Sequence, residues 1–146
     1  MTKISLIPQI NLKSVSKLDH KFLFDLLNQR KSTENISHKK MPTFKEHVKF
    51  VASKPYSKWH IIILDGKKVG TVYLTHQNEI GIHIVEEIRR KNIAKQALKL
   101  IMKKNPKTRY LANINPKNKN SIKFFTKNGF KLIQYTYELI PENTKN

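Results

Sequence analysis

The sequence predicts an α+β domain: a mixed, mostly antiparallel sheet with helices on both faces, in the order β-α-α-β-β-β-α-β-α-β. Three observations predict it. Two β-rich runs, WHIIIL (59–64) and VGTVYL (69–74), are joined by DGKK, a hairpin turn signal. A third β-rich run, EIGIHIV (79–85), follows after the short turn HQN. Four other stretches carry apolar residues at helical spacing, two before this meander and two after it.

In chain order, KISLIPQI (3–10) reads as a first strand. LDHKFLFDLLNQRK (18–31) reads as a helix with Asp19 as its cap and Phe22, Leu23, Leu26 and Leu27 on one stripe. A second helix lies within 37–54, where Thr43 and Glu46 have capping-box spacing and Phe44, Val48 and Val51 form the apolar stripe. In the third strand of the meander, Ile80, Ile82 and Ile84 face one way, and Glu79, Gly81 and His83 the other. NIAKQALKLIMKKN (92–105) is a helix that buries Ile93, Ala97, Leu100 and Ile101 and stops before Pro106. TRYLANI (108–114) reads as a strand, NKNSIKFFTKN (118–128) as a helix closed by Gly129, and FKLIQYTYELI (130–140) as a last strand.

The 146 residues suit one domain, 1–146, with no repeat or linker. There is no cysteine, which excludes a disulfide framework and a thiol nucleophile. The six histidines are scattered without zinc-site spacing, so no metal is expected. No apolar run approaches the length of a membrane span, and the start lacks a leader's apolar region; a cytoplasmic protein is the expectation. The net charge of +19 implies affinity for polyanions. Lysine is spread along the whole chain, which a compositional bias would also produce.

The segment EIRRKNIAKQAL places Arg89, Arg90 and Lys91 before Asn92 at a helix start. A helix N-terminus already carries free N–H groups and partial positive charge, so further cations there call for an anion.

The element order and two motifs resemble the GNAT superfamily of N-acetyltransferases. The first motif, Arg/Gln-x-x-Gly-x-Gly/Ala, is matched by Arg89, Arg90, Lys91, Asn92, Ile93 and Ala94. The second is matched by Asn118, Ser121, Phe124, Phe125, Gly129 and Phe130. The likeness covers about residues 44 to 139, and DGKKVGTVYL upstream fits as well. It implies a GNAT-like fold and an acyltransferase that uses acetyl-coenzyme A as cosubstrate. The amine would attack directly in a ternary complex, without a covalent enzyme intermediate. The anion at Arg89–Lys91 would then be the cofactor's pyrophosphate, assisted by Lys95. The resemblance also assigns Ile82, Ile84, Asn115, Asn118, Ser121, Phe125 and Lys127 to the cofactor. Asn92 replaces a glycine, and asparagine tolerates positive φ best after glycine. Phe125 stands where many members have a tyrosine thought to protonate the thiolate. Tyr110, Tyr135 and Tyr137 remain as other phenols, each read as structural first.

Glu79 and His83 share a strand face, so either is a candidate base. The resemblance favours Glu79 by position, and intrinsic pKa favours His83. Asn113 and Asn115 alternate outward and could line the cleft. The acceptor should contact the first two helices and the loop between them, residues 28 to 47. TFKEHVKFVAS (43–53) resembles a helix of acetyltransferases that act on nucleotide-linked amino sugars. That resemblance implies that His47 and Lys45 face the acceptor and that Lys39 and Lys40 attract its diphosphate. Other readings are acetylation of a protein N-terminus or lysine, a basic nucleic-acid-binding module, and a member that binds coenzyme A without reacting. The expected state is a monomer or homodimer.

Overall fold

The computed structural model describes residues 8–30, 40–88 and 92–142. Strand β1, Ile10–Ser14, opens the sheet. This is later than the expected 3–10, of which 3–7 lie outside the described residues. Pro8 has no N–H to give a ladder, and pairing begins beyond it, Ile10 opposite Leu64. A one-turn 3-10 helix, Lys17–Asp19, then leads into α1, His20–Asn28. Asp19 does not cap α1 as expected. Its fully buried carboxylate accepts the Ser16 N–H at 2.8 Å and pairs with Lys68 at 2.8 Å and Lys13 at 3.2 Å. Burial pushes this carboxyl up, but the hydrogen bonds from Lys68, Ser16 and Lys13 outweigh it and hold it below its ordinary value.

Helix α2 runs Phe44–Ala52 with the expected capping box. Thr43 Oγ1 accepts the Glu46 N–H at 3.1 Å, and Glu46 Oε1 accepts the Thr43 N–H at 2.8 Å. Its buried residues are His47 and Val51, not Phe44, which stays largely exposed and meets Phe24 edge-on at 5.3 Å.

Strands β2 (Lys58–Leu64), β3 (Lys67–Leu74) and β4 (Ile80–Ile84) follow as the antiparallel meander, giving the sheet order β1-β2-β3-β4. Asp65 (φ 50°) and Gly66 (φ 77°) form the two-residue turn between β2 and β3. Two successive positive φ values give the turn twist that matches twisted strands. After β4 come a 3-10 turn, Glu86–Ile88, then α3, Ile93–Lys104, and α4, Lys119–Lys127.

The strand period divides the sheet into two faces. Ile62, Val72, Leu74, Ile80 and Ile84 pack with Ile93, Ala97, Leu98 and Ile101 of α3 and Phe125 of α4. On the other side Ile61 packs with Leu23 of α1 and Val51 of α2. Helices therefore cover both faces, as the sequence predicts. In α3, Leu98 is buried and Leu100 only half so. The two remaining predicted strands do not form ladders among the described residues. TRYLANI meets the sheet in one parallel bridge, Leu111 to Glu79. Residues 131–140 are all exposed, beyond the point where Phe130 packs on Phe125 at 5.0 Å.

Candidate active site

The face under α1 and α2 is not filled like the other. A cavity of about 330 Å³ lies between the two helices and the sheet. Helix α1 and its end supply Leu23, Leu26, Leu27 and Arg30; the α2 region supplies Lys40, Pro42, Glu46, His47 and Phe50. The sheet and its approach supply Tyr56, Trp59, Thr71, Tyr73 and His83. Alternation explains the sheet's part. Val72 and Leu74 point into the α3 core, so Thr71 and Tyr73 point here; Ile82 and Ile84 point away, so His83 points here.

The floor of the cavity is held by specific contacts. Trp59 Nε1 donates to Thr71 Oγ1 at 2.8 Å, and Thr71 Oγ1 donates to the His60 carbonyl at 2.8 Å. Tyr56 stacks on Tyr73, with centroids 3.9 Å apart and planes 5° apart, and meets Trp59 edge-on at 4.7 Å. Tyr73 lies over Gly81: a Cβ built there would sit 2.0 Å from Tyr73 Cζ and 2.3 Å from its hydroxyl. Glycine is required at that point because the ring occupies the side-chain space. Tyr73 thus stands between Glu79 and His83 on the strand face they share. Burial raises the Tyr56 phenol well above its usual range, helped by its Tyr73 neighbour, and burial raises Tyr73 as well. Both stay protonated and neutral at neutral pH. Burial, then the nearby His20, pushes His47 below its ordinary value. His47 is therefore neutral at neutral pH, with its ring edge-on to Phe24 at 5.6 Å.

Glu79 is placed differently from His83. Its Oε1 accepts from Thr75 Oγ1 at 3.0 Å and its Oε2 from Asn113 Nδ2 at 2.6 Å. It ties the start of β4 to the 111–115 segment and does not line the cavity. At the same junction Ile80 N–H donates to the Leu111 carbonyl at 2.8 Å and Leu111 N–H to the Asn78 carbonyl at 2.9 Å. Beyond it no further ladder joins the described residues of the two segments. By alternation from Ile80, the N–H groups of Ile82 and Ile84 are directed to this outer edge.

Of the expected cofactor residues, Arg89, Arg90 and Lys91 lie outside the described residues, as does Lys39 among those expected at the acceptor. Asn92 has φ 64° and ψ 17°, the left-handed conformation expected of it, but its side chain makes no capping bond. Ile93 is buried in the core, Ala94 is half-buried and Lys95 is exposed in the first turn of α3. Asn118 Oδ1 caps α4 by accepting the Ser121 N–H at 3.2 Å, and Asn115 Oδ1 accepts the Lys117 N–H at 2.9 Å. Phe125 is buried between Phe124 and Phe130, and Lys127 is exposed. Tyr110 is structural: its hydroxyl donates to the Asn105 carbonyl at 2.7 Å beside the end of α3. Tyr135 and Tyr137 are exposed and far along the chain from any ladder. Of the acceptor candidates, His47 lines the cavity, whereas Lys45 is exposed and Asn113 turns to Glu79. Arg30, Tyr56, Trp59, Thr71 and Tyr73 were not singled out by the sequence. The signal for Tyr73 was Gly81, a glycine inside a strand.

Residues 21–130 match the Acetyltransferase (GNAT) family. The chain belongs to that family. This GNAT chain is therefore an acyltransferase of the N-acetyltransferase type. Among solved structures it is similar to a domain from Methanocaldococcus jannaschii, at 24% identity and TM-score 0.78, covering 90% of this chain and 94% of that one. It is similar to an acetyltransferase from Thermus thermophilus, at 19% identity and TM-score 0.70, covering 88% and 90%. It is also similar to a ribosomal alpha-N-protein acetyltransferase in complex with coenzyme A, at 17% identity and TM-score 0.71, covering 88% and 85%. No curated protein sequence matches the chain. At these identities the solved structures establish the shared fold. Among the described residues no group of three or more His, Cys, Asp or Glu could hold a metal, and no helix is long and apolar enough to cross a membrane.

Proposed function

We propose that this GNAT chain, acting as one domain over 1–146, acetylates the primary amine of a small acceptor held in the cavity under α1 and α2. The single observation that carries the reading is the position of His83. It lines the cavity, and it lies on β4, the strand joined to 111–115 by one bridge at Glu79 and by no further ladder among the described residues. A donor entering that gap from one side and an acceptor in the cavity would meet at β4.

Acetyl-coenzyme A supplies the acetyl thioester as cosubstrate. The chain's residues fit it in two places. The left-handed Asn92 opens α3 with N–H groups free of earlier helical partners, and outward N–H groups line the β4 edge. Arg89, Arg90 and Lys91 would add charge-assisted contacts to the phosphates. By the family resemblance, Asn115, Asn118, Ser121 and Lys127 would contact the cosubstrate as well. Phe125 contributes packing and no proton.

His83 takes the proton of the attacking amine, which nucleophilic attack requires. The Ile82 N–H is directed where it can donate to the carbonyl oxygen as charge develops there. Glu79, with both carboxylate oxygens engaged by Thr75 and Asn113, acts as a positioning residue at the β4 junction. The thiol leaves with a proton from solvent.

The aromatic walls and the cations Arg30 and Lys40, against Glu46 as the one acid among the described lining residues, favour an acceptor with a flat or apolar body and an anionic group. A nucleotide-linked amino sugar fits that chemistry, with Lys39 adding charge from outside the described residues. A protein N-terminal residue with an acidic neighbour is the second reading, and the same cavity would take it. A cytoplasmic place accords with the need for acetyl-coenzyme A.

The test is coenzyme A release from acetyl-coenzyme A with a panel of amines: nucleotide amino sugars, amino acids, polyamines and short peptides. Turnover confined to anionic acceptors supports the proposal. Turnover only with cationic polyamines would overturn the acceptor class, and none with any amine would overturn catalysis.

A further inference from the structure

We propose that the outer side of α3 and α4 is a docking surface for the phosphate backbone of a nucleic-acid duplex, gripped without regard to sequence. The charge of the chain is not evenly spread. From residue 88 to residue 137 there is no Asp or Glu, although the chain has ten. The described part of that stretch carries eleven Lys and Arg, every one of them exposed. A compositional bias toward lysine explains many cations. It does not explain why acids are missing from so long a stretch. Acids elsewhere are engaged: Asp19 pairs with Lys13 and Lys68, Asp25 with Lys21, and Glu79 is held by Thr75 and Asn113.

The lysines are arranged as well as concentrated. Lys95, Lys99 and Lys103 recur at every fourth residue along α3, and Lys119, Lys123 and Lys127 do the same along α4. Each stripe is roughly 12 Å long. The buried faces of α3 and α4 pack on the same side of the sheet, so both stripes lie on the side of the molecule away from the cavity. Like charges at this spacing destabilise a helix, so an anion that covers them relieves a cost. The helix dipole accounts for the lysines in the two last turns, but Lys119 in the first turn of α4 opposes it. Coenzyme A does not account for the stripes. In the proposed reaction its phosphates sit at the start of α3, and Lys103 lies roughly 15 Å further along that helix.

The make-up of the surface selects nucleic acid over an acidic protein. Protein interfaces are depleted in lysine and anchored by buried aromatic side chains. Between residues 92 and 131 no large apolar side chain is exposed among the described residues. Thr108 and Asn120 stand exposed among the lysines instead, and such side chains join Lys and Arg in contacts to phosphate. The lack of an exposed ring there also disfavours single strands, whose bases stack on aromatic platforms. A duplex carries its charge on the outside, at one phosphate per about 1.7 Å of axis, dense enough to meet every lysine of a stripe. DNA and RNA duplexes share this chemistry, and the test separates them.

The test is fluorescence anisotropy of the full chain with short DNA and RNA duplexes of arbitrary sequence, between about 50 and 200 mM salt. The expected result is binding of at least one duplex that weakens at least about a hundredfold over that range, as counterion release from about four phosphates requires. Lys99→Gln/Lys103→Gln/Lys119→Gln/Lys123→Gln should weaken it at least about tenfold and lower the salt slope by about two or more, since each phosphate contact adds about 0.9 to the slope. Lys17→Gln/Lys49→Gln/Lys54→Gln/Lys67→Gln removes the same charge from exposed positions outside the stripes and should leave the slope unchanged. The stripe variant should melt no lower than wild type, because it relieves like-charge pairs. Saturating acetyl-coenzyme A should not displace the duplex. A preference for one duplex tells DNA from RNA and supports the proposal either way. No binding at about 50 mM salt, equal losses in the two variants, displacement by acetyl-coenzyme A, equally tight binding of polyglutamate, or a stripe variant that melts well below wild type would each overturn it.

Discussion

The two faces of one sheet are built from alternate residues of the same strands, and they differ in kind. Toward α3 the strands present Ile62, Val72, Leu74, Ile80 and Ile84, and the space is filled. Toward α1 and α2 they present Thr71, Tyr73, Gly81 and His83, and a cavity of about 330 Å³ is left. Filling one side with aliphatic side chains lets the other side keep polar groups, a bare glycine and empty space. The packed face holds the fold; the open face can be changed without unfolding it. That division gives predictions for each side.

The largest effect should come from the packed face. Ile101 is fully buried against the sheet, and Ile101→Ala should cost about 3 kcal/mol in a urea or thermal melt, from lost burial plus an unfilled cavity. A cost below about 1 kcal/mol would mean that this face is no better packed than its opposite. Next is the ion cluster around the buried Asp19 carboxylate. Asp19→Asn leaves Lys68 and Lys13 without their shared anion and should cost about 2 kcal/mol. The wild-type contribution is present above the unfolded carboxyl's pKa and is lost as pH falls through the lowered native value. Asp19→Asn should therefore flatten the acid limb of a stability-versus-pH curve.

On the open face, Gly81→Ala collides with the Tyr73 ring and should raise the acceptor KM about tenfold, since displacing a wall of the cavity by about an ångström misplaces what it holds, and lower stability by about 1 kcal/mol as overpacking does. Unchanged KM would separate Tyr73 from the acceptor. The smallest effect is His47's. Its pKa is lowered by burial, so its contribution is full above the ordinary value of 6.5 and falls as pH drops toward the native value. Thermal melts between about pH 7.5 and 5.5 should show a slope that His47→Gln reduces, the remainder coming from His60, which burial lowers as well.

Much of the fold was legible because its signals are local. The Asp65–Gly66 turn, the Thr43–Glu46 capping box and the left-handed Asn92 all depend on a few neighbouring residues, and each stands as expected. Asp19 misled, because a carboxylate at a helix start is the usual cap, and its distant partner Lys68 is not visible locally. At the first strand, the described part of the expected 3–10 pairs only from Ile10, and the ladder runs on to Ser14, because its extent is set by the partner β2 and not by local β propensity. TRYLANI and FKLIQYTYELI have strand composition, but pairing needs an edge, and composition does not name one. In the site, His83 was named from its position on a strand face and His47 from the resemblance of its helix, and both reach the cavity. Arg30, Tyr56 and Trp59 join them only through the packing of α1 and α2 on the sheet, which no spacing in the sequence expresses.

The central claim is that the open face is where the amine loses its proton, with His83 as the group that takes it. It is tested most directly by comparing kcat at saturating acetyl-coenzyme A and acceptor for His83→Ala and Glu79→Gln, with melting temperatures measured alongside. The account predicts at least about a hundredfold loss of kcat for His83→Ala, the usual scale for removing a general base. It predicts a smaller loss for Glu79→Gln, and a fold intact in both. Full turnover in His83→Ala, with the loss falling on Glu79→Gln instead, would contradict it and move the reaction to the β4 junction.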